Sequence, residues 1–174
     1  MKADFLKAKI LIVDDQQANI ALLEDVLENE GYANFKSLLD SRNALDMYKK
    51  FHPDLVLLDL NMPYLDGFQV MEQLKEVEKN SYAPILVLTA QADRNTRLRA
   101  LAAGARDYIE KPFDITEVTQ RISNMLEIRL LHNQVRNQNL ILEDRVQART
   151  RELEETRQEA ILRLCRAAEY RDNE

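Results

Sequence analysis

Between Lys9 and about Phe113, five short apolar runs alternate with amphipathic stretches, and that alternation restricts the chain to a parallel sheet built from βα units. The strands are predicted at Lys9–Val13, Asn34–Leu39, Asp54–Leu58, Pro84–Leu88 and Arg106–Glu110. Three of these runs are apolar throughout rather than at every second residue. Both of their faces must therefore be covered, as in a sheet sandwiched between helices. Helices are predicted between the strands, over Asn19–Asn29, Ser41–Lys50, Gly67–Glu78 and Asn95–Ala103. Gly31 and Gly104 sit just past two helix ends, where a left-handed residue stops the helix, and Ser41 and Asp93 are the expected N-caps. Five such units make a complete doubly wound α/β domain.

The character changes after Pro112. Residues 113–174 contain neither Pro nor Gly and are rich in Glu, Arg, Gln and Leu, which predicts one long helix. Heptads place Val118, Met125, His132, Asn139, Val146, Leu153 and Ala160 at a. They place Arg121, Ile128, Val135, Leu142, Arg149, Thr156 and Arg163 at d. That seam is apolar only in part, and a polar a residue such as Asn139 fixes register at a cost in stability. The expectation is a parallel homodimer through a coiled coil with a weak, adjustable seam. Residues 1–125 are expected to form the α/β domain and 126–174 the helix.

A length of 174 residues suits one cored domain with an appendage, since domains cluster near roughly 100–150 residues. The net charge of −6 argues against a nucleic-acid surface, which needs clustered Lys and Arg in excess. No apolar run approaches the ~20 residues that span a bilayer, so no membrane insertion is expected. Met1–Phe5 leads straight into a strand with no secretion signal, and a cytoplasmic location is expected. The one cysteine, Cys165, has no metal-site spacing and is read as a small packing residue. His52 and His132 lack a second ligand at metal spacing and are read as structural or solvated.

Function in an open α/β sheet collects at the carboxyl ends of the strands. There the first strand delivers Asp14 and Asp15, the third Asp59, the fourth Thr89, and the fifth is followed by Lys111-Pro112. Taken singly these have ordinary explanations: a helix cap, a turn residue, a β-branched strand residue, a surface charge. Taken together they put three carboxylates at one spot, where they would repel one another unless a cation intervened. Mg²⁺ answers that need, being a hard ion that takes oxygen ligands from one or two carboxylates plus a phosphate. A metal, a lysine and a hydroxyl around one carboxylate are what phosphoryl transfer to that carboxylate requires. Asp59 is then the nucleophile and forms an acyl phosphate.

The motifs Val13-Asp14-Asp15, Leu57–Gly67 (LLDLNMPYLDG), Leu88-Thr89-Ala90 and Tyr108–Pro112 (YIEKP) resemble those of response regulator receiver domains, over about residues 8–125. The resemblance implies a flavodoxin-like receiver with strand order 2-1-3-4-5 and phosphorylation of Asp59 by a histidine kinase. It implies that Asp15 binds Mg²⁺ directly, Asp14 through water, and Asn61 through its main-chain carbonyl. Thr89 and Lys111 would contact phosphoryl oxygens, and Tyr108 would turn inward when Thr89 moves. Ala90 would leave the site open, and Lys111-Pro112 would be cis. Met62-Pro63 and Asp66-Gly67 read as turn chemistry, with Gly67 letting the loop bend.

Leu142–Glu155 (LEDRVQARTRELEE) resembles the signalling helices that join receivers to output domains. Ala167–Glu174 (AAEYRDNE) resembles the start of an HD-GYP domain, a family that hydrolyses cyclic di-GMP at a metal site. The chain is accordingly expected to be part of a longer protein, non-enzymatic as it stands. The alternative is a stand-alone dimerising receiver adaptor. An aspartyl phosphatase would need an acid/base aspartate two residues after the nucleophile, where this chain has Asn61, and a DNA-binding regulator would need a basic output domain.

Overall fold

The computed structural model describes residues 5–77, 83–90 and 94–171, with side chains to Arg166. In order along the chain the elements are β1 (Lys9–Val13), α1 (Gln17–Asn29), β2 (Asn34–Leu38), a 3₁₀ turn (Ser41–Asn43), α2 (Ala44–Phe51) and β3 (Leu55–Asp59). They continue with α3 (Gly67–Val77), β4 (Ile85–Thr89), α4 (Arg94–Ala103), β5 (Asp107–Glu110) and α5 (Ile115–Arg171). All strand pairs are parallel, in the order β2-β1-β3-β4-β5. The expected elements are all present, with ends moved by one or two residues except where noted below.

Successive residues of the central strands point to opposite faces, and each face has its own core. Ile10, Ile12, Leu55, Leu57, Leu86, Leu88 and Ile109 pack with Leu23 and Leu27 of α1 and with Val118, Ile122 and Leu126 of α5. On the other face Leu11, Val13, Val56, Leu58, Ile85 and Val87 pack with Tyr48 of α2, Met71 and Leu74 of α3 and Ala100 of α4. Each fully buried aliphatic side chain contributes about 1.5–3 kcal/mol, so the two layers make the sheet a rigid platform for whatever its strand ends carry. The strictly apolar runs of the sequence are the strands covered on both sides.

Several local expectations need correction. Ser41 is not the helix cap: it is buried, and its hydroxyl donates to the Pro63 carbonyl (3.2 Å). The cap is Asp40, whose carboxylate accepts from Arg42 N (3.0 Å), and a 3₁₀ turn precedes the α-helix. Asp93 and Glu78 lie outside the described residues. Gly31 and Gly104 do have positive φ, but the loop after β3 bends at Tyr64 (φ 71°) rather than at Gly67. Val118 and Met125, placed on a dimer seam by heptad counting, are buried in the first core. Cys165 is exposed, on a stretch of α5 where every side chain from Gln134 to Arg166 is exposed.

The chain divides into two compact units, Met1–Leu131 and His132–Glu174. The second is helical through Arg171 and carries exposed Val135, Leu142, Val146 and Leu153. Among the described residues no helix is long and apolar enough to cross a membrane.

Candidate functional site

Parallel register alone assembles the site. Val13 lies beside Leu58, so Asp14, the next residue, comes out abreast of Asp59. Asp59 pairs with Leu88, which puts Thr89 one step further along β4, and Thr89 pairs with Glu110, which leaves Lys111 as the first residue beyond β5. A hydrogen bond from Lys111 N to the Thr89 carbonyl (2.8 Å) fixes that last step, and the Lys111-Pro112 bond is cis, as the resemblance implied.

One oxygen each from Asp14, Asp15 and Asp59 lies within 4.8 Å of the others, a spacing that could hold a metal ion. Asp14, Asp59 and Thr89 are buried. The Lys111 ammonium answers the negative charge, with Nζ 2.7 Å from Asp14 Oδ2 and 3.0 Å from Asp59 Oδ1. Burial raises the Asp59 carboxyl above the ordinary carboxylate range. Lys111 opposes that shift, Asp14 reinforces it, and a hydrogen bond from the Asn61 main chain opposes it. Asp14 is held by Gln16 N (2.8 Å) and by Asn19 Nδ2 (3.1 Å to each oxygen). The sequence pattern did not mark Asn19; its signal is only that a carboxamide five residues after a strand-end aspartate, on the first turn of α1, can reach back to it.

Asp15 differs from its neighbour. Its Oδ1 is buried and takes no hydrogen bond, and the N-cap position of α1 is Gln16, with no side-chain cap. A buried carboxylate oxygen without a partner costs free energy unless a cation or donor meets it. With an all-oxygen donor set beside it, the residues fit a hard divalent cation such as Mg²⁺.

The loop from Leu60 to Asp66 frames the open side. Gly67 N donates to the Leu60 carbonyl (3.0 Å), and a Cβ at Gly67 would stand 2.5 Å from the Asp59 carbonyl oxygen. Glycine is there for close approach, which the turn reading of the sequence missed. Asp66 and Gln69 exchange hydrogen bonds at the start of α3 (3.0 and 2.8 Å), a reciprocal cap whose D-x-x-Q spacing is legible in the sequence. Tyr108 on β5 is half-buried, with the Arg97 guanidinium 4.8 Å from its ring centroid and bridging to Glu110 (3.5 Å).

Residues 10–123 match the family profile described as the response regulator receiver domain. Over 172 residues the chain is 36% identical to the cyclic di-GMP phosphodiesterase response regulator RpfG of Xanthomonas campestris pv. campestris, which spans 98% of this chain and 45% of that protein. It is 32% identical over 171 residues to a probable cyclic di-GMP phosphodiesterase of Vibrio cholerae, covering 98% of this chain and 38% of the relative. The chain thus spans less than half the length of these two relatives. Among solved structures, a response regulator from Chloroflexus aurantiacus superposes with a TM-score of 0.64 at 33% identity, over 70% of this chain and 98% of that one.

Proposed function

The chain belongs to the response regulator receiver family, and from that premise we propose that Asp59 is its phosphoacceptor, served by Lys111, Thr89 and a Mg²⁺ ion. The observation that carries this reading is the meeting of Asp14, Asp15 and Asp59 oxygens within 4.8 Å, with the Lys111 ammonium on two of the three carboxylates. Receiver domains bind Mg²⁺ at an acidic pocket and are phosphorylated by sensor histidine kinases. Here Asp14, Asp15, Asp59 and the Asn61 main-chain carbonyl would hold the ion. When bound it supplies positive charge opposite the oxygens of the transferring group.

The residues divide the remaining work. An Asp59 carboxylate oxygen attacks the phosphorus of a phosphohistidine. The phosphorus–nitrogen bond breaks, and its electron pair returns to the imidazole. Lys111, already placed against Asp59, pairs with a phosphoryl oxygen, and the Thr89 hydroxyl donates to another. Tyr108 then turns inward as Thr89 moves.

The phosphorylation state would be relayed by α5, which packs on the receiver core through Val118, Ile122 and Leu126 and runs to Arg171. Exposed Val135, Leu142, Val146 and Leu153 recur at heptad positions, which supports a parallel coiled-coil homodimer along the part of the helix beyond the receiver core. Similarity along 98% of the chain to two proteins named as cyclic di-GMP phosphodiesterases supports an output of that kind, of the HD-GYP type, in the whole protein. The receiver itself is not an enzyme.

Incubation with acetyl phosphate and Mg²⁺, followed by intact-mass measurement, tests the core of this reading. One phosphoryl group is expected on the chain, lost with EDTA and absent from Asp59→Asn. A phosphorylated Asp59→Asn variant would overturn the assignment.

A further inference from the structure

The loop that follows Asp59 contains a turn the local sequence does not favour. Tyr64 has φ 71°, and Leu65 N donates to the Pro63 carbonyl (3.0 Å) across it. A three-residue turn with positive φ at its centre is the rarer and more strained of the two γ-turns, and an aromatic residue has none of the tolerance for it that glycine or asparagine has. Burial does not impose this conformation, because Tyr64 is 72% exposed.

The neighbouring loop meets it. The Arg42 guanidinium lies 4.1 Å from the centroid of the Tyr64 ring, within cation–π range. Arg42 is itself fixed by Asp40, which accepts from its Nε (3.0 and 3.2 Å), its Nη2 (2.7 Å) and its main-chain N (3.0 Å). These hydrogen bonds hold the Asp40 carboxyl below its ordinary range. Between them, Ser41 donates to the Pro63 carbonyl (3.2 Å). The β2–α2 loop therefore grips the β3–α3 loop at two successive residues, Pro63 and Tyr64. The other end of the loop is anchored by Gly67 and by the Asp66–Gln69 cap. Asn61 lies three residues before Tyr64 and directly after Leu60, whose carbonyl is held by Gly67 N (3.0 Å), and its main chain already donates to Asp59.

We propose that Asp40, Arg42 and Tyr64 form a clamp that holds the β3–α3 loop in the shape in which the Asn61 carbonyl can meet a divalent cation. Arg42 and Tyr64 are thus positioning residues for the metal half of the site. The inference rests on the metal reading given above for Asn61. It adds that the coordinating main chain is kept in place by strain at Tyr64, balanced by a stack on the surface. Without the stack the turn relaxes, and the carbonyl moves with it.

Mn²⁺ binding to the full chain, followed by the EPR signal of the free ion, measures this without any phosphoryl transfer. Arg42→Ala and Arg42→Lys, which both lose the planar stack, are expected to weaken Mn²⁺ binding roughly tenfold, the low end for loss of an outer support at a metal site. In EDTA, exchange of the Leu65 amide should quicken in both. Tyr64→Phe keeps the ring and should keep wild-type affinity. Tyr64→Gly adopts positive φ without strain, so adding Arg42→Ala to it should change nothing further. Wild-type Mn²⁺ affinity in Arg42→Ala would overturn the clamp while leaving the metal site intact. Absence of Mn²⁺ binding by the wild-type chain would overturn both together.

Discussion

Gly67 approaches Asp59 so closely that a single added methyl group would lie 2.5 Å from the Asp59 carbonyl oxygen and 2.9 Å from Leu60 Cα. The obstacles are main-chain atoms of the strand end that carries the site, and they cannot swing aside as a flexible side chain would. Gly67→Ala is expected to cost about 1–3 kcal/mol in urea unfolding, the usual range for overpacking, and to slow acetyl phosphate labelling of Asp59. Unchanged stability would mean that the loop yields freely.

Lys111 is the cation set against the acidic cluster, since it reaches both Asp14 and Asp59. Lys111→Met leaves those buried carboxylates unpaired. In EDTA it should lose about 3–5 kcal/mol of stability, the cost of removing one partner from a buried pair. Saturating Mg²⁺ should restore most of that loss, which thermal melts with and without Mg²⁺ would show.

The raised Asp59 carboxyl makes the metal-free protein pH-sensitive in a defined direction. Folding holds the Asp59 proton more tightly than the unfolded chain does. The stability this contributes is fully present below the ordinary carboxylate pKa and is lost as pH rises through the raised folded value. In EDTA, Asp59→Asn should therefore gain on the wild type as pH rises through that window. Mg²⁺, which favours the charged carboxylate, should narrow the difference. Urea titrations across the window, with EDTA or Mg²⁺, check both.

Two leucines of the same helix should behave as different kinds of residue. Leu126 is buried in the receiver core and Leu142 is exposed. Leu126→Ala is expected to cost the receiver about 2–5 kcal/mol. Leu142→Ala should leave the receiver's urea midpoint unchanged and weaken self-association in sedimentation equilibrium. Asn139→Leu should strengthen that association and blunt its response to beryllofluoride, because it removes a polar layer.

The strands and the residues at their ends were legible because a strand covered on both faces must be apolar throughout, so the first polar residue marks where the apolar run stops. Asp14, Asp59, Thr89 and Lys111 all mark such ends. The heptad reading of the long helix failed at its start for an equally physical reason. Val118 and Met125 satisfy a coiled-coil seam and a sheet-facing stripe alike, since both need apolar residues three and four apart, and periodicity cannot say what covers them. Ser41 illustrates the same ambiguity for polar residues: its hydroxyl suits a cap, but a carbonyl brought in from Pro63 claims it.

By itself the sequence determined the order of elements, their parallel pairing and the set of polar groups at one edge of the sheet, because these follow from local period and from where apolar runs stop. Tertiary structure alone decided what depends on distances between segments far apart in the chain. It set Lys111 against Asp14, left Asp15 Oδ1 without a partner, pressed Gly67 onto the Asp59 carbonyl and stacked Arg42 on a strained Tyr64. No local pattern encodes those contacts, since each is made by a residue whose neighbours in sequence are not its neighbours in space.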